Sequence, residues 1–254
     1  MTMHNVETHE VTEEFAHCWQ AAGRHLQTQV QGKITWLKAS LSPPFLEHLS
    51  FRLGNQLFFV RLEPADIRIP VPASREGLFY IAKGCNGHPC IMPMVQRRGL
   101  WTPDNPGWGL LDPISEKRLD PIALVSDEPI EMTDWELHDF AVQVVRDQIV
   151  KDGRALMSSQ GNPAVDPSIW FVGDYGPEWI VVRAARYPAT KVDVPVNWPE
   201  IADRCARLGR AGHFAPVAIA STDEAFDTTG KIPVTPLWRG HGMHVRYVGM
   251  ERLT

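Results

Sequence analysis

The sequence lacks the features that mark several broad classes of protein. No apolar run approaches the roughly 18 residues that a helix needs to span a bilayer. Residues 1–15 are polar and acidic, without the basic and apolar regions of a secretory signal. Four cysteines in 254 residues are too few for a disulfide framework. These absences predict a cytoplasmic protein in a reducing compartment, with no membrane partner.

A basic excess is also missing, since the net charge is −5 at pH 7. Nucleic-acid-binding domains usually carry positive charge that displaces counterions from phosphates. One stretch of the second half is nevertheless rich in basic side chains, among them Arg183, Arg186 and Lys191. These three are the candidates for an anion-binding surface, and a solvated surface is the alternative interpretation.

Sequence motifs of the common enzyme classes are absent as well. The chain has no nucleophile elbow, no P-loop, no dinucleotide-binding glycine pattern and no zinc-protease helix motif. No complete enzyme active site can therefore be read from the sequence. No cofactor is expected, and Mg²⁺ enters only if the protein is a metal-dependent nuclease.

A short stretch of the first half contains three groups that can bind zinc. Cys85, His88 and Cys90 supply two thiols and one imidazole, which suit a tetrahedral zinc site. Their spacing differs from that of the usual zinc fingers, and no second cysteine pair lies nearby in the sequence. A glycine-containing turn with two buried thiols is the simpler interpretation.

The first half, residues 1–130, is predicted to hold one helix followed by a β-rich region. Apolar residues recur at helical spacing over residues 13–28, behind Thr12 as N-cap. Two alternating runs joined by Gly54-Asn55 predict a β-hairpin over residues 48–62. Residues 78–82 and 90–95 are interpreted as two more strands.

The second half, residues 131–254, shows clearer signals and is expected to pack with the first as one compact unit. Thr133 and Glu136 have the spacing of a capping box, which predicts a helix over residues 133–152. Strands are predicted at 155–159, 168–172, 179–184, 214–220 and 244–248. Asn197 and Glu200 predict a second capped helix before the fourth of these strands. The fold class is therefore mixed α and β, with a mixed sheet.

This order from residue 133 onward, helix–strand–strand–strand–helix–strand, resembles the αβββαβ core of the restriction-endonuclease-like fold. The local sequence is similar too. One predicted strand opens Pro167-Ser168, where that nuclease superfamily has Pro-Asp, and the next holds Val181 and Arg183, where it has Glu-x-Lys. The resemblance covers only part of the second half.

The resemblance implies a metal site of the nuclease type, in which two carboxylates hold Mg²⁺ and the lysine orients the attacking water. Here Ser168 and Val181 stand at the carboxylate positions and Arg183 stands at the lysine position. A hydroxyl and an alkyl group cannot replace carboxylates around Mg²⁺. A permanently protonated guanidinium can hold an anion but is a poor proton carrier. The standard metal site is therefore predicted to be lost.

Relocated ligands would restore such a site, and the candidates are Asp166, Glu178 and Glu136, with Arg183 as the cation. Glu136 is also explained by the capping box, and Asp166 and Glu178 by turn or surface positions. Three functions remain open: a non-catalytic scaffold for a protein partner in a nucleic-acid-handling or defence-related system, a nuclease with relocated ligands, and a non-catalytic nucleic-acid binder. The oligomeric state is not indicated.

Overall fold

A computed structural model of the chain describes residues 2–3, 11–30, 34–39, 48–72, 74–174, 176–223, 226, 229 and 233–254. The chain divides into two compact units, one formed by Thr8–Pro129 and the other by Met1–Glu7 together with Ile130–Thr254. Each unit combines helices with a mixed β-sheet, which confirms the predicted mixed α and β class.

The helices and strands are bounded as follows. The helices are α1 (Glu13–Gln29), α2 (Arg75–Gly84), α3 (Pro121–Leu124), α4 (Asp134–Lys151) and α5 (Trp198–Cys205). The strands are β1 (Thr2–Met3), β2 (Thr35–Lys38), β3 (Leu49–Leu53), β4 (Gln56–Pro64), β5 (His88–Arg97), β6 (Leu100–Pro103), β7 (Leu156–Ser159), β8 (Val165–Asp166), β9 (Ile169–Gly173), β10 (Gly176–Arg186), β11 (Ala211–Ser221), β12 (Met243–Arg246) and β13 (Glu251–Arg252). Within the described residues, no helix is both long and apolar enough to traverse a bilayer.

The unit of Thr8–Pro129 is built on a five-stranded sheet in the order β2-β3-β4-β5-β6. The predicted hairpin is confirmed as β3 and β4, and it turns at Gly54, whose φ of +56° suits glycine. The predicted first helix is also confirmed, because the Thr12 hydroxyl accepts the Phe15 N–H at the start of α1. Phe15, Trp19 and Leu26 of α1 bury against the sheet.

The predicted strand at residues 78–82 is wrong, because these residues lie inside α2. The Ser74 hydroxyl accepts the Gly77 N–H and caps this helix. Leu78 and Ala82, four residues apart, form its buried face. A short apolar run fits a strand and a buried helix equally well, so periodicity alone could not distinguish them. The helix links β4 to β5, which pair in parallel.

The second unit has a sheet in the order β12-β11-β10-β9-β7, with β13 also paired to β11. Strands β10 and β11 are parallel, and their neighbours are antiparallel. Helix α4 packs on one face of this sheet and α5 on the other. Strand β10 is accordingly apolar on both faces over residues 179–182, all fully buried.

The capping box of α4 is confirmed, whereas the one predicted for α5 is wrong. Thr133 accepts the Glu136 N–H, and the Glu136 carboxylate accepts the Thr133 N–H at 2.8 Å. Asn197 stands at the N-cap of α5 but makes no capping bond with its side chain. Its φ of −89° and ψ of 19° lie outside the extended region that a capping residue needs, and Pro199 offers no N–H.

The elements of this unit follow one another as helix, strand, strand, strand, helix, strand when the two-residue β8 is set aside. Strand β8 lies just before β9 and pairs in parallel with β1 near the start of the chain. Strands β1, β8 and β13 were not predicted. Each has only two residues, which is too short for a sequence period to appear.

Candidate functional site

A buried ion pair lies where the sequence suggested a degraded metal site. Both carboxylate oxygens of Asp166, in β8, accept hydrogen bonds from the Arg183 guanidinium of β10, at 2.9 and 2.7 Å. Asp166 is only 3% exposed. The two parallel bonds form the fork-to-fork geometry in which arginine binds carboxylates most strongly. The candidate ligand and the candidate cation therefore neutralise each other.

Ser168 and Val181 do not meet Arg183 as the resemblance implied. The buried Ser168 hydroxyl accepts the Val182 N–H at 3.2 Å, and the Ser168 N–H donates to the Ile180 carbonyl oxygen at 2.9 Å. Ser168 therefore joins the backbone of β10. Val181 lies in the apolar cluster beneath α5, with no polar group to offer. Asp166, two residues earlier than the expected position, is the residue that contacts Arg183.

His138 adds a buried imidazole on α4. It is 4% exposed, and its Nε2 atom has no hydrogen-bond partner among the described residues. Burial, and to a smaller extent the positive charge of Arg183, lower the pKa of His138 to about 4, while Asp139 and Asp166 act in the opposite sense. The imidazole is therefore neutral at physiological pH.

Glu136 is held by a buried arginine as well as by its own helix. Arg239 donates to the Glu136 carboxylate from Nε at 2.8 Å and from a terminal nitrogen at 2.9 Å. The Arg239 side chain is 1% exposed. Because the same carboxylate completes the capping box, it serves two structural roles at the start of α4.

Glu178 forms the third enclosed pair, with His213 of β11. The distance from Glu178 Oε2 to His213 Nε2 is 2.6 Å, and both side chains are buried. The His213 ring also lies 5.8 Å from the Phe171 ring, centre to centre. A Cβ on Gly173 would collide with the Glu178 carboxylate, so the glycine makes room for this pair.

The remaining anion-binding candidates differ from one another. Arg186 donates to Glu131 at 2.7 Å and to the Met132 carbonyl oxygen at 2.6 Å, and it lies 3.4 Å from Asp134. It therefore helps to hold the chain before α4 rather than facing solvent as a free cation. Lys191 is exposed in the connection between β10 and α5.

Cys85, His88 and Cys90 do not gather into a ligand set. His88 pairs through Nε2 with the Gln56 side chain at 3.0 Å and stacks on Phe58. Cys90 is fully buried in the core under α1, and burial raises the pKa of its thiol. A raised pKa disfavours the thiolate that zinc requires. Throughout the part of the chain that the structure describes, no three His, Cys, Asp or Glu side chains lie close enough to hold a metal ion.

The three candidate carboxylates thus share one property: each is buried and already bonded to a cation or to an imidazole. Asp166 binds Arg183, Glu136 binds Arg239, and Glu178 binds His213. Mg²⁺ needs several oxygen ligands in a near-octahedral arrangement. These three carboxylates bind three separate partners and do not form a common ligand set.

Sequence reasoning missed the buried His138 and the two partners His213 and Arg239. His138 could have been found, because it shares a face of α4 with Val142, Val145 and Ile149 at helical spacing. His213 and Arg239 could not, since their partners lie 35 and 103 residues away along the chain. Only the folded sheet brings these groups together.

One family model matches the chain, over residues 135–253, and its description is a domain of unknown function (DUF8840). The match covers just under half of the 254 residues and lies within the unit that contains α4 and α5. Comparison with curated proteins and with solved structures gives no match.

Proposed function

We propose that this protein is a non-catalytic binding protein that uses a nuclease-like fold as a scaffold for a protein partner. The single observation that carries the proposal is the internal pairing of every candidate carboxylate. A metal-dependent nuclease needs carboxylate oxygens that face a shared metal ion. Here such a metal would have to displace buried, bidentate arginine contacts first.

The fold supports the scaffold part of the proposal by analogy only. The element order from α4 to β11, with a mixed sheet between two helices, is the one that the restriction-endonuclease-like resemblance implies. A fold of this kind hosts many functions, so the argument against catalysis rests on the side chains. The resemblance suggests a nucleic-acid-handling or defence-related setting for the partner.

A cleavage assay tests the proposal. The purified protein is incubated with supercoiled, linear and single-stranded DNA and with RNA, in Mg²⁺, in Mn²⁺ and in EDTA. We expect no cleavage in any condition, and no heat of Mn²⁺ binding by titration calorimetry. Both results follow because, among the residues that the structure describes, no set of carboxylates is arranged to hold the ion.

Two matched variants make the assay decisive. Asp166→Asn removes a buried carboxylate of the candidate site, and Asp174→Asn removes an exposed carboxylate of the turn between β9 and β10. Metal-dependent cleavage that disappears in the first variant and persists in the second would refute the proposal and identify a nuclease with relocated ligands. Cleavage that persists in both variants and is also present in a mock purification would identify a contaminating enzyme, and cleavage absent from the mock purification would refute the proposal.

A further inference from the structure

Three arginines near the end of α5 differ from most other arginines of their unit. Arg204, Arg207 and Arg210 are exposed and make no ion pair or hydrogen bond with any described residue. Each of the other arginines of the unit has a partner. Four are paired with carboxylates: Arg146, Arg183, Arg186 and Arg239. Arg154 and Arg246 lie over aromatic rings, and Arg252 donates to a backbone carbonyl oxygen. Glu200 and Asp203 stand four residues before Arg204 and Arg207, the spacing of helical ion pairs, yet those pairs do not form.

The backbone that carries these arginines is firmly anchored. The Leu208 and Gly209 N–H groups both donate to the Cys205 carbonyl oxygen at 3.0 Å. The Trp179 indole N–H donates to the Gly209 carbonyl oxygen at 3.1 Å. Gly209 is so close to the Pro177 carbonyl oxygen that a Cβ at this position would collide with it. Ordering these side chains on binding therefore costs little backbone entropy.

Exposed apolar side chains lie beside the arginines. Leu208 is 44% exposed within the turn itself. Val172, also 44% exposed, pairs with Pro177 across β9 and β10. The Pro177 carbonyl oxygen lies close to Gly209, which places Val172 near the arginines. We call the surface formed by Arg204, Arg207, Leu208, Arg210 and Val172 the arginine turn. Arginine mixed with apolar side chains is the composition of a protein interface, in which arginine is enriched and lysine depleted.

We propose that the arginine turn binds an acidic segment of a protein partner that also carries apolar side chains. The proposal rests on the binding function proposed above and adds the location and the chemistry of the partner. Unpaired guanidinium groups need anionic partners for charge complementarity, which either carboxylates or phosphates can supply. Leu208 and Val172 need apolar counterparts, which a phosphate backbone does not provide. The net charge of −5 also opposes binding of a long polyanion without such contacts.

Three labelled polymers serve as probes in fluorescence anisotropy titrations with the full chain. A random copolymer of glutamate and tyrosine offers both carboxylates and apolar rings. Poly-glutamate offers carboxylates alone, and single-stranded DNA offers phosphates. We expect the copolymer to bind most tightly, and its affinity to fall with added salt because exposed charges are screened.

The charge-reversal variant Arg207→Glu/Arg210→Glu is expected to bind the copolymer roughly tenfold more weakly, since it removes two exposed attractions and adds two repulsions. Its matched control is Arg97→Glu/Arg98→Glu, which makes the same change in net charge at an exposed turn of the other unit. The control is expected to retain the affinity. An equal loss in both variants would refute the proposal, because net charge and not the arginine turn would then govern binding.

The variant Leu208→Ser distinguishes a protein partner from a nucleic-acid partner. It is expected to weaken binding of the copolymer about threefold, as for loss of part of an apolar contact, and to leave poly-glutamate binding unchanged. Tighter binding of DNA than of the copolymer, without any effect of Leu208→Ser, would overturn the proposal in favour of a nucleic-acid surface. Absence of binding to all three polymers would refute it while leaving the non-catalytic function intact. Nucleic-acid cleavage, by contrast, would refute the proposed function itself.

Discussion

The buried carboxylate of Asp166 depends on a single residue, Arg183, to compensate its charge. The carboxylate of Asp166 is almost fully enclosed, and both of its oxygens depend on one guanidinium. A buried charge without its partner costs far more than the intact pair contributes. The same reasoning applies to Glu136 and Arg239, which are enclosed to a similar degree.

For the pair itself, Arg183→Met is expected to lower the free energy of unfolding by about 3 kcal/mol, because Asp166 is left buried and unpaired. Adding Asp166→Asn removes the stranded charge, so the double variant is expected to be more stable than Arg183→Met alone. Urea denaturation of the natural protein, the two single variants and the double variant measures both effects. A double variant that loses the sum of the two single losses would show that the pair is not coupled.

His138 and His48 predict a dependence of stability on pH. Burial is the main cause that lowers the pKa of each to about 4, from 6.5 in an unfolded chain. Between these two pH values the unfolded chain binds more protons, so the free energy of unfolding rises with pH across this interval and levels off above it. Each histidine contributes on the order of 3 kcal/mol to the change.

The measurement is urea denaturation at several values between pH 4 and 7, comparing the natural protein with His138→Leu and His48→Leu. Each variant is expected to flatten the profile of its own unit, because a leucine has no proton to gain. A profile for His138→Leu as steep as that of the natural protein would show that other groups cause the acid sensitivity.

At the scale of elements, the start of α4 depends on three cooperating groups. Thr133→Ala removes one cap bond and is expected to cost about 1 kcal/mol. Glu136→Ala removes the reciprocal cap bond and also leaves Arg239 buried without its carboxylate, so it is expected to cost at least about 3 kcal/mol. Thermal or urea unfolding followed by circular dichroism ranks the two variants. Equal losses would mean that Arg239 finds another partner.

Elements with a long period or a clear cap could be predicted from the sequence. Helix α4 shows this best, since its capping box and its apolar spacing both lie within one local stretch. Strand β10 was also predictable, because a run of buried apolar residues indicates a strand covered on both faces. Helix α2 was mistaken for a strand, because its apolar residues are too few to establish a period.

The candidate site could be predicted only in part. The sequence indicated that Asp166 and Arg183 belong to it, but not that they would bind each other. Ser168 was expected at the site and instead bonds to the backbone of β10. Which side chains meet across two strands depends on register. The register that sets Ile169 opposite Ile180 also brings Asp166 opposite Arg183 when it is continued past β9, and no local sequence pattern reveals it.

At the scale of the whole molecule, the cysteines report on the two units separately. Cys205 lies in the core of one unit, and Cys18, Cys85 and Cys90 are buried in the other. Burial raises the pKa of Cys18 and of Cys205 to about 12, so the folded protein offers little thiolate for alkylation. Each thiol should therefore react only when its own unit opens.

Pulsed alkylation in increasing urea, followed by mass spectrometry of peptides, gives the urea concentration at which each cysteine becomes labelled. A core variant is expected to lower this concentration only for the cysteines of its own unit. Leu137→Ala leaves a cavity under α4 and should bring the labelling of Cys205 to lower urea by an amount equivalent to roughly 3 kcal/mol. Labelling of Cys18 should stay where it was, because its core is a separate one. A common shift of all four cysteines would show that the units unfold as a single cooperative body.

The pairing of β11 has a consequence for how the protein is made. This strand needs β10 on one side and β12 and β13 on the other, and β13 lies in a later part of the chain. Residues Thr8–Pro129, in contrast, form their sheet entirely among themselves. A ribosome releases that unit first, and it can fold while the rest is still being translated. The sheet that holds Arg183 must wait for its last strands, so the two halves acquire their structure at different moments of synthesis.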